Sequence, residues 1–143
     1  MIRAGRHGGQ ALAEFALVVP VFFALLLLTF EGGRLLFTWS CLTEASREGA
    51  RTAVLASTTS TTSIVNTTLD LSAWSGVTAA NISVSRNGSA VSGPFSKQRG
   101  DQVAVTINFT YTVFIAQSLG PNWPGLPFTS LPMKVRTQMR AEG

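Results

Sequence analysis

The chain has 143 residues but only one cysteine, Cys41, and one histidine, His7. An intrachain disulfide is therefore excluded. Metal centres draw on several His, Cys or carboxylate ligands at fitting spacing, and no such cluster stands in this sequence, so no metal and no cofactor is expected. A Ser-His-Asp or Cys-His system needs a histidine inside the fold, whereas His7 precedes the main apolar run. The chain is accordingly read as not an enzyme. Charge is also scarce, with 13% of residues Asp, Glu, Lys or Arg against about 25% in ordinary soluble domains. Together with a mean hydropathy of +0.28, that deficit implies that part of the chain does not face water. Basic residues outnumber acidic ones by 11 to 7. Setting aside Arg3 and Arg6, which lie ahead of the apolar run, leaves nine against seven, or +2. Beyond Leu55 the basic residues Arg86, Lys97, Arg99, Lys134, Arg136 and Arg140 are scattered. No Lys/Arg run exists, so nucleic acid is not an expected partner.

The apolar excess has an address. Phe15 to Phe30 reads FALVVPVFFALLLLTF, sixteen residues without a charge. Including Ala11 to Ala13 extends it to about twenty, interrupted by Glu14, and twenty helical residues span about 30 Å, the thickness of a bilayer's hydrocarbon core. A buried core helix is disfavoured, because so short a chain cannot surround a stem that is apolar on every side. A secretory signal peptide would fit the basic start, but no small-x-small cleavage site follows Phe30. The positive-inside rule places the end that carries Arg3, Arg6 and His7 in the cytoplasm and the remainder outside. Pro20 removes one N–H and is expected to kink or loosen the stem near Ala16. Gly32 and Gly33 form a second soft point.

Beyond the glycines, Leu35, Trp39, Leu42, Ala45, Gly49 and Ala53 recur at steps of three or four, an amphipathic helical pattern. Glu44 with Arg47, and Glu48 with Arg51, are i,i+3 pairs with the acid leading. This ladder has two readings: a solvated helix face, or a face packed on the protein's own sheet or a neighbouring subunit, with Gly49 and Ala50 permitting close approach. Cys41 reads as a small buried residue. A helix from Gln10 to Leu55 would be about 70 Å long.

Directly before the apolar run stands Gly9-Gln-Ala-Leu-Ala-Glu14-Phe15. A carboxylate is costly there, near 3 kcal/mol at mid-membrane and less toward the interface. A plain anchor has no use for it. If the chain were cut after Gly9, the new α-ammonium of Gln10 could pair with Glu14 of the same chain or of a neighbour. A glycine, four residues, Glu and an aromatic, then an unbroken apolar helix, resembles the class III signal of type IV pilins and pseudopilins. With its short basic leader it resembles the Tad (tight adherence) branch. Glu31-Gly-Gly-Arg34 and Ala45-Ser-Arg-Glu-Gly-Ala-Arg51 resemble the TadE-like family, and Leu131 to Arg140 fits that family's terminal strand. The resemblance implies that Gly9 precedes the scissile bond read by a membrane prepilin peptidase. Gln10 would be the mature N-terminus, Glu14 would pair with a neighbour's amine during assembly, and Phe15 would complete the recognition motif. The implied partners are the peptidase, other pilin or pseudopilin subunits and inner-membrane assembly machinery. The implied location is the bacterial cytoplasmic membrane, single-pass, or a pilus.

The remaining sequence changes period. Ser57 to Thr62 (STTSTT) reads as a polar linker, and Ile64 to Trp74 as a short helix or irregular cover. Ala80 to Ser85 meets Ser89 to Val91 across Arg86-Asn87-Gly88, a hairpin signal. Asp101 to Phe114 alternates, with Val103, Val105, Ile107, Phe109, Tyr111 and Val113 on one face. A Pro/Gly-rich loop, Gly120 to Pro127, leads to a last strand with Leu131, Met133, Val135, Thr137 and Met139 inward. Trp74 and Trp123 read as buried loop anchors. Four N-x-S/T sequons, starting at Asn66, Asn81, Asn87 and Asn108, are expected by chance in a chain this rich in Asn, Ser and Thr. The expected fold is α+β, a long N-terminal helix packed on a small antiparallel β-sheet head. It divides into a basic leader (1–9), a helical stem (10–56, membrane part about 11–30) and an extracytoplasmic head (57–143). The rival to a pilin-like assembly subunit is an uncleaved single-pass envelope protein whose head binds a partner.

Overall fold

The computed structural model describes residues 7–55, 58–115 and 129–142. The chain divides into two compact units, 1–34 and 35–143. A single helix, α1 (His7–Leu55), contributes to both. It begins three residues before the expected start at Gln10 and runs through Pro20, Gly32 and Gly33 without interruption. The missing Pro20 N–H and the two glycines therefore cost local stability without ending the helix.

In the first unit the apolar run is bare. From Gly9 to Phe30 every residue is exposed except the half-buried Val19. Twelve large apolar side chains between Leu12 and Phe30 are exposed, among them Phe15, Phe22, Leu25 and Leu28. Soluble monomers do not leave contiguous apolar surface on this scale to water. The helix is long and apolar enough to cross a membrane.

The second unit joins the rest of α1 to a sheet. Strands β2 (Ile82–Arg86), β3 (Ser89–Ala90), β5 (Gln102–Thr112) and β6 (Ser130–Arg140) form an antiparallel sheet in the order β3-β2-β5-β6. The β5–β6 ladder is the longest, pairing Gln102 with Arg140 at one end and Thr112 with Ser130 at the other. The period-two pattern decides which face is inward. Val103, Val105, Ile107, Tyr111, Met133 and Val135 are buried, while Lys134, Arg136, Gln138 and Arg140 are exposed. Asn87 (φ 50°) and Gly88 (φ 85°) both take positive φ, as a two-residue hairpin turn requires. The turn is thus one residue shorter than the sequence suggested, because Arg86 remains in the strand opposite Ser89.

The expected linker at Ser57 to Thr62 is a correction. Thr58–Ser60 forms strand β1, paired with β4 (Pro94–Ser96) in a separate two-stranded sheet. Ser60 then caps helix α2 (Thr61–Ser72), its side chain accepting from the Ser63 N–H at 3.2 Å. Ile64, Thr68 and Ser72, four residues apart, form the buried face of α2. The two hydroxyls stay satisfied by donating to the Ile64 and Thr68 carbonyls at 2.8 and 2.7 Å.

Small residues on α1 make the seam. Leu42, Ala45, Ala50 and Ala53 join Ile64, Val84, Val103, Val105 and Ile107 in one core. The Ser46 and Thr137 hydroxyls meet at 2.6 Å. The buried stripe is Thr38, Leu42, Ala45, Ser46, Gly49, Ala50 and Ala53. Trp39, expected on it, is exposed, and Cys41, expected buried, is half-buried. A stripe centred on Leu42 turns both side chains toward its margin.

Gly49 lies against Thr68 of α2. A methyl added there would overlap Thr68 Oγ1 and lie 3.6 Å from Val105 Cγ1. Gly49→Ala is expected to destabilise the fold by about 1–3 kcal/mol through overpacking. Adding Thr68→Ala should recover part of that loss, since it removes the clashing oxygen. Urea unfolding of the full chain in detergent, with both single variants and the double, checks the coupling; simple additivity would contradict it.

The hairpin base carries a second, titratable tie. Asp101 accepts from the Gln98 backbone N–H at 2.9 Å and from Asn87 Nδ2 at 2.8 Å, with Arg86 Nε 3.8 Å away. The Gln98 N–H foremost, then Asn87 and Arg86, hold its carboxyl below the usual carboxylate range. Stability from this group is therefore present above the ordinary value near pH 4 and is lost as pH falls through the lower folded value. The melting temperature of wild type should exceed that of Asp101→Leu at pH 6, and the gap should narrow as pH drops below about 4. A gap constant with pH would contradict the assignment.

Candidate functional site

The sequence singled out two groups of residues on α1, and they have different surroundings. The first is the segment around Gly9, Gln10, Glu14 and Phe15, all helical and exposed. Gly9 has open space around it: beyond its own turn of helix, no described atom lies within 4 Å of the position a Cβ would take. The peptide bond between Gly9 and Gln10 lies in the first turn of α1. Glycine lowers the cost of leaving the helix at this bond.

Gln10 and Glu14 face each other one turn apart, and Gln10 Nε2 donates to Glu14 Oε1 at 3.0 Å. The backbone nitrogen of Gln10 also belongs to this turn. A free α-amine there would carry positive charge at the positive end of the helix dipole, an unfavourable placement. A carboxylate one turn on offsets it. Phe15, next to Glu14, is about two-thirds exposed and begins the uncharged run.

The second group is charged and lies further along. Glu31 is buried, at 8% exposure, and its Oε1 is 3.9 Å from Arg34 Nη2. Glu44–Arg47 and Glu48–Arg51 pair at 2.9 and 3.5 Å, with Glu44, Arg47 and Arg51 exposed and Glu48 half-buried. These two pairs lie on the side of the helix away from the core, while Gly49 and Ala50, between Glu48 and Arg51 in sequence, face the core. Within the second unit the glycine of this stretch, Gly49, faces Thr68 and Val105.

Among the described residues, no group of three or more His, Cys, Asp or Glu is placed to hold a metal ion. Trp74 is a correction: it is 53% exposed in a 3-10 turn (Ala73–Ser75) and stacks on Phe37 with ring centroids 5.1 Å apart. Trp123 and the loop Gly120 to Pro127 lie outside the described residues. Of the sequons, Asn66, Asn87 and Asn108 are exposed and Asn81 is half-buried. Asn87 is committed on both sides of its amide, to Asp101 and to the Gln102 N–H.

Residues 9–51 match the TadE-like protein family, so the match covers both groups of residues. No curated protein matches the chain. No solved structure matches it either.

Because the Glu44–Arg47 pair is exposed, it should contribute little to stability. Glu44→Gln is expected to change unfolding free energy by less than about 0.5 kcal/mol. Urea titration at low and high salt measures this, and a loss several times larger would show the pair to be more than solvated.

Proposed function

We propose that this chain is a structural subunit, a TadE-like minor pilin or pseudopilin that acts in Tad pilus biogenesis or adhesion. It is made as a single-pass membrane precursor, cytoplasmic at its N-terminus, with the sheet unit outside. A membrane prepilin peptidase cuts between Gly9 and Gln10, and other pilin subunits and inner-membrane assembly machinery then take up the product. It carries out no catalysis of its own.

The observation that supports this most is a carboxylate, Glu14, placed one turn beyond an accessible glycine and ahead of a bare apolar run. In the precursor its neutral partner is the Gln10 amide. Cleavage would place an ammonium on the same residue and convert a hydrogen bond into an ion pair, within the chain or between neighbours. An ion pair is the form in which a carboxylate can be held in an apolar environment with least cost. The family match over residues 9–51 agrees with this reading. An uncleaved anchor would need neither the glycine nor the acid.

N-terminal sequencing of the protein from native membranes should start at Gln10; an intact Met1 would overturn the processing claim. Glu14→Gln should still be cleaved but should enter pili at least about tenfold less, because removing one partner of a buried ion pair costs about 3–5 kcal/mol. Wild-type amounts of the variant in sheared pili would remove Glu14 from assembly.

A further inference from the structure

The exposed aromatic edge of the second unit has no part in the reading above. Phe37, on α1, and Trp74, thirty-seven residues later, stack at 5.1 Å with an interplanar angle of 44°. Stacking of this kind normally accompanies burial, yet Phe37 is 60% exposed and Trp74 53%. Leu36 and Trp39 beside Phe37 are exposed as well, as is Leu71 on α2. No charged residue stands between Arg34 and Glu44, and Asp70 is the one charge between Thr61 and Ser75. Two separate elements thus bring rings together without covering them, while Leu71 borders the charged ladder of Glu44, Arg47, Glu48 and Arg51.

Chain position indicates what covers it. Counted as about twenty residues from Ala11, the hydrocarbon segment ends at Phe30. Phe37 then follows by about 10 Å along the helix. Headgroup layers extend a bilayer of about 30 Å core to about 40–45 Å, or roughly 5–8 Å on each side. Side chains on a helix lean toward its N-terminus, which here directs the Phe37 ring back toward the apolar run. Trp is moreover enriched at membrane–water interfaces, where its ring meets the acyl boundary and its N–H meets headgroups or water.

We propose that Phe37 and Trp74 seat the sheet unit in the headgroup layer of the outer leaflet of a phospholipid bilayer. This rests on the reading of the apolar run as a membrane span. The contact fixes the unit against the membrane surface before assembly. It uses rings from two elements, so it also opposes separation of α2 from α1. Leaving the bilayer exposes the pair again.

The test uses the full chain in phospholipid vesicles with nitroxide-labelled lipids. Trp39→Phe with Trp123→Phe leaves Trp74 as the only tryptophan. A second protein, with Trp74→Phe and Phe22→Trp added, reports on the span. Circular dichroism establishes that both fold, and the difference in emission between wild type and Trp74→Phe repeats the measurement without the other substitutions. Shallow labels should quench Trp74 at least about twofold more than labels near the acyl terminus, as expected for an interfacial ring, with the order reversed for Phe22→Trp. Trp74 quenched by aqueous iodide and indifferent to both lipid labels, with Phe22→Trp quenched deeply, would overturn the interfacial contact alone. Trp74 shielded from iodide only at high protein density would overturn it in favour of a second copy of the chain. If Phe22→Trp is not quenched by deep labels, the span reading fails and the proposal fails with it.

Discussion

A backbone that enters hydrocarbon must satisfy its own hydrogen bonds, and this is the constraint on which the molecule is built. A run such as FALVVPVFFALLLLTF is apolar on every side, so only a helix can carry it through a bilayer without exposing N–H and C=O groups. The same helix then continues well past the run, from His7 to Leu55. Among the described residues, the stretch from Gly9 to Phe30 is exposed but for Val19, and the second half of the helix supplies part of a core. Composition changes accordingly, from Phe, Leu and Val to Ala, Ser and Gly along the buried stripe.

That change in side-chain size lets the second unit form. Ala45, Ser46, Gly49, Ala50 and Ala53 bring the helix backbone close to Ile64, Thr68 and Val105. A stripe of larger residues would hold α2 and the sheet away. The buried hydroxyls of Thr68 and Ser72 return their hydrogen bonds to their own helix, so their burial leaves no polar group unsatisfied. The charge ladder, by contrast, lies on the opposite side in solvent and adds little beyond solubility. The proposed processing and assembly residues stand at the other end of α1, where an acid precedes the apolar run.

The sequence revealed whatever depends on local periodicity. The alternation from Val103 to Val113 and from Leu131 to Met139 showed both long strands and their inner faces. Asn87-Gly88 marked the hairpin, and the spacing from Glu44 to Arg51 marked the salt-bridged face. What it concealed depends on partners distant in the chain. STTSTT has no apolar residue and reads as a linker, yet Thr58–Ser60 is a strand because Pro94–Ser96 offers it a ladder. Trp74 reads as buried because large rings usually are; its exposure depends on where α2 ends against α1. Trp39 fits the helical period but falls at the margin of a stripe whose centre is set by the sheet. In the candidate site the spacing from Gly9 to Glu14 was legible, whereas the Gln10 amide occupying Glu14 needed the side-chain geometry.

The central claim is that the first half of α1 lies in lipid and the sheet unit lies outside. Cysteine labelling in spheroplasts tests it most directly, because Cys41→Ser removes the one native thiol. In that background Leu25→Cys should resist a membrane-impermeant maleimide until detergent is added, whereas Ser92→Cys, an exposed position, should react at once in intact spheroplasts. Equal labelling of the two positions without detergent would contradict it.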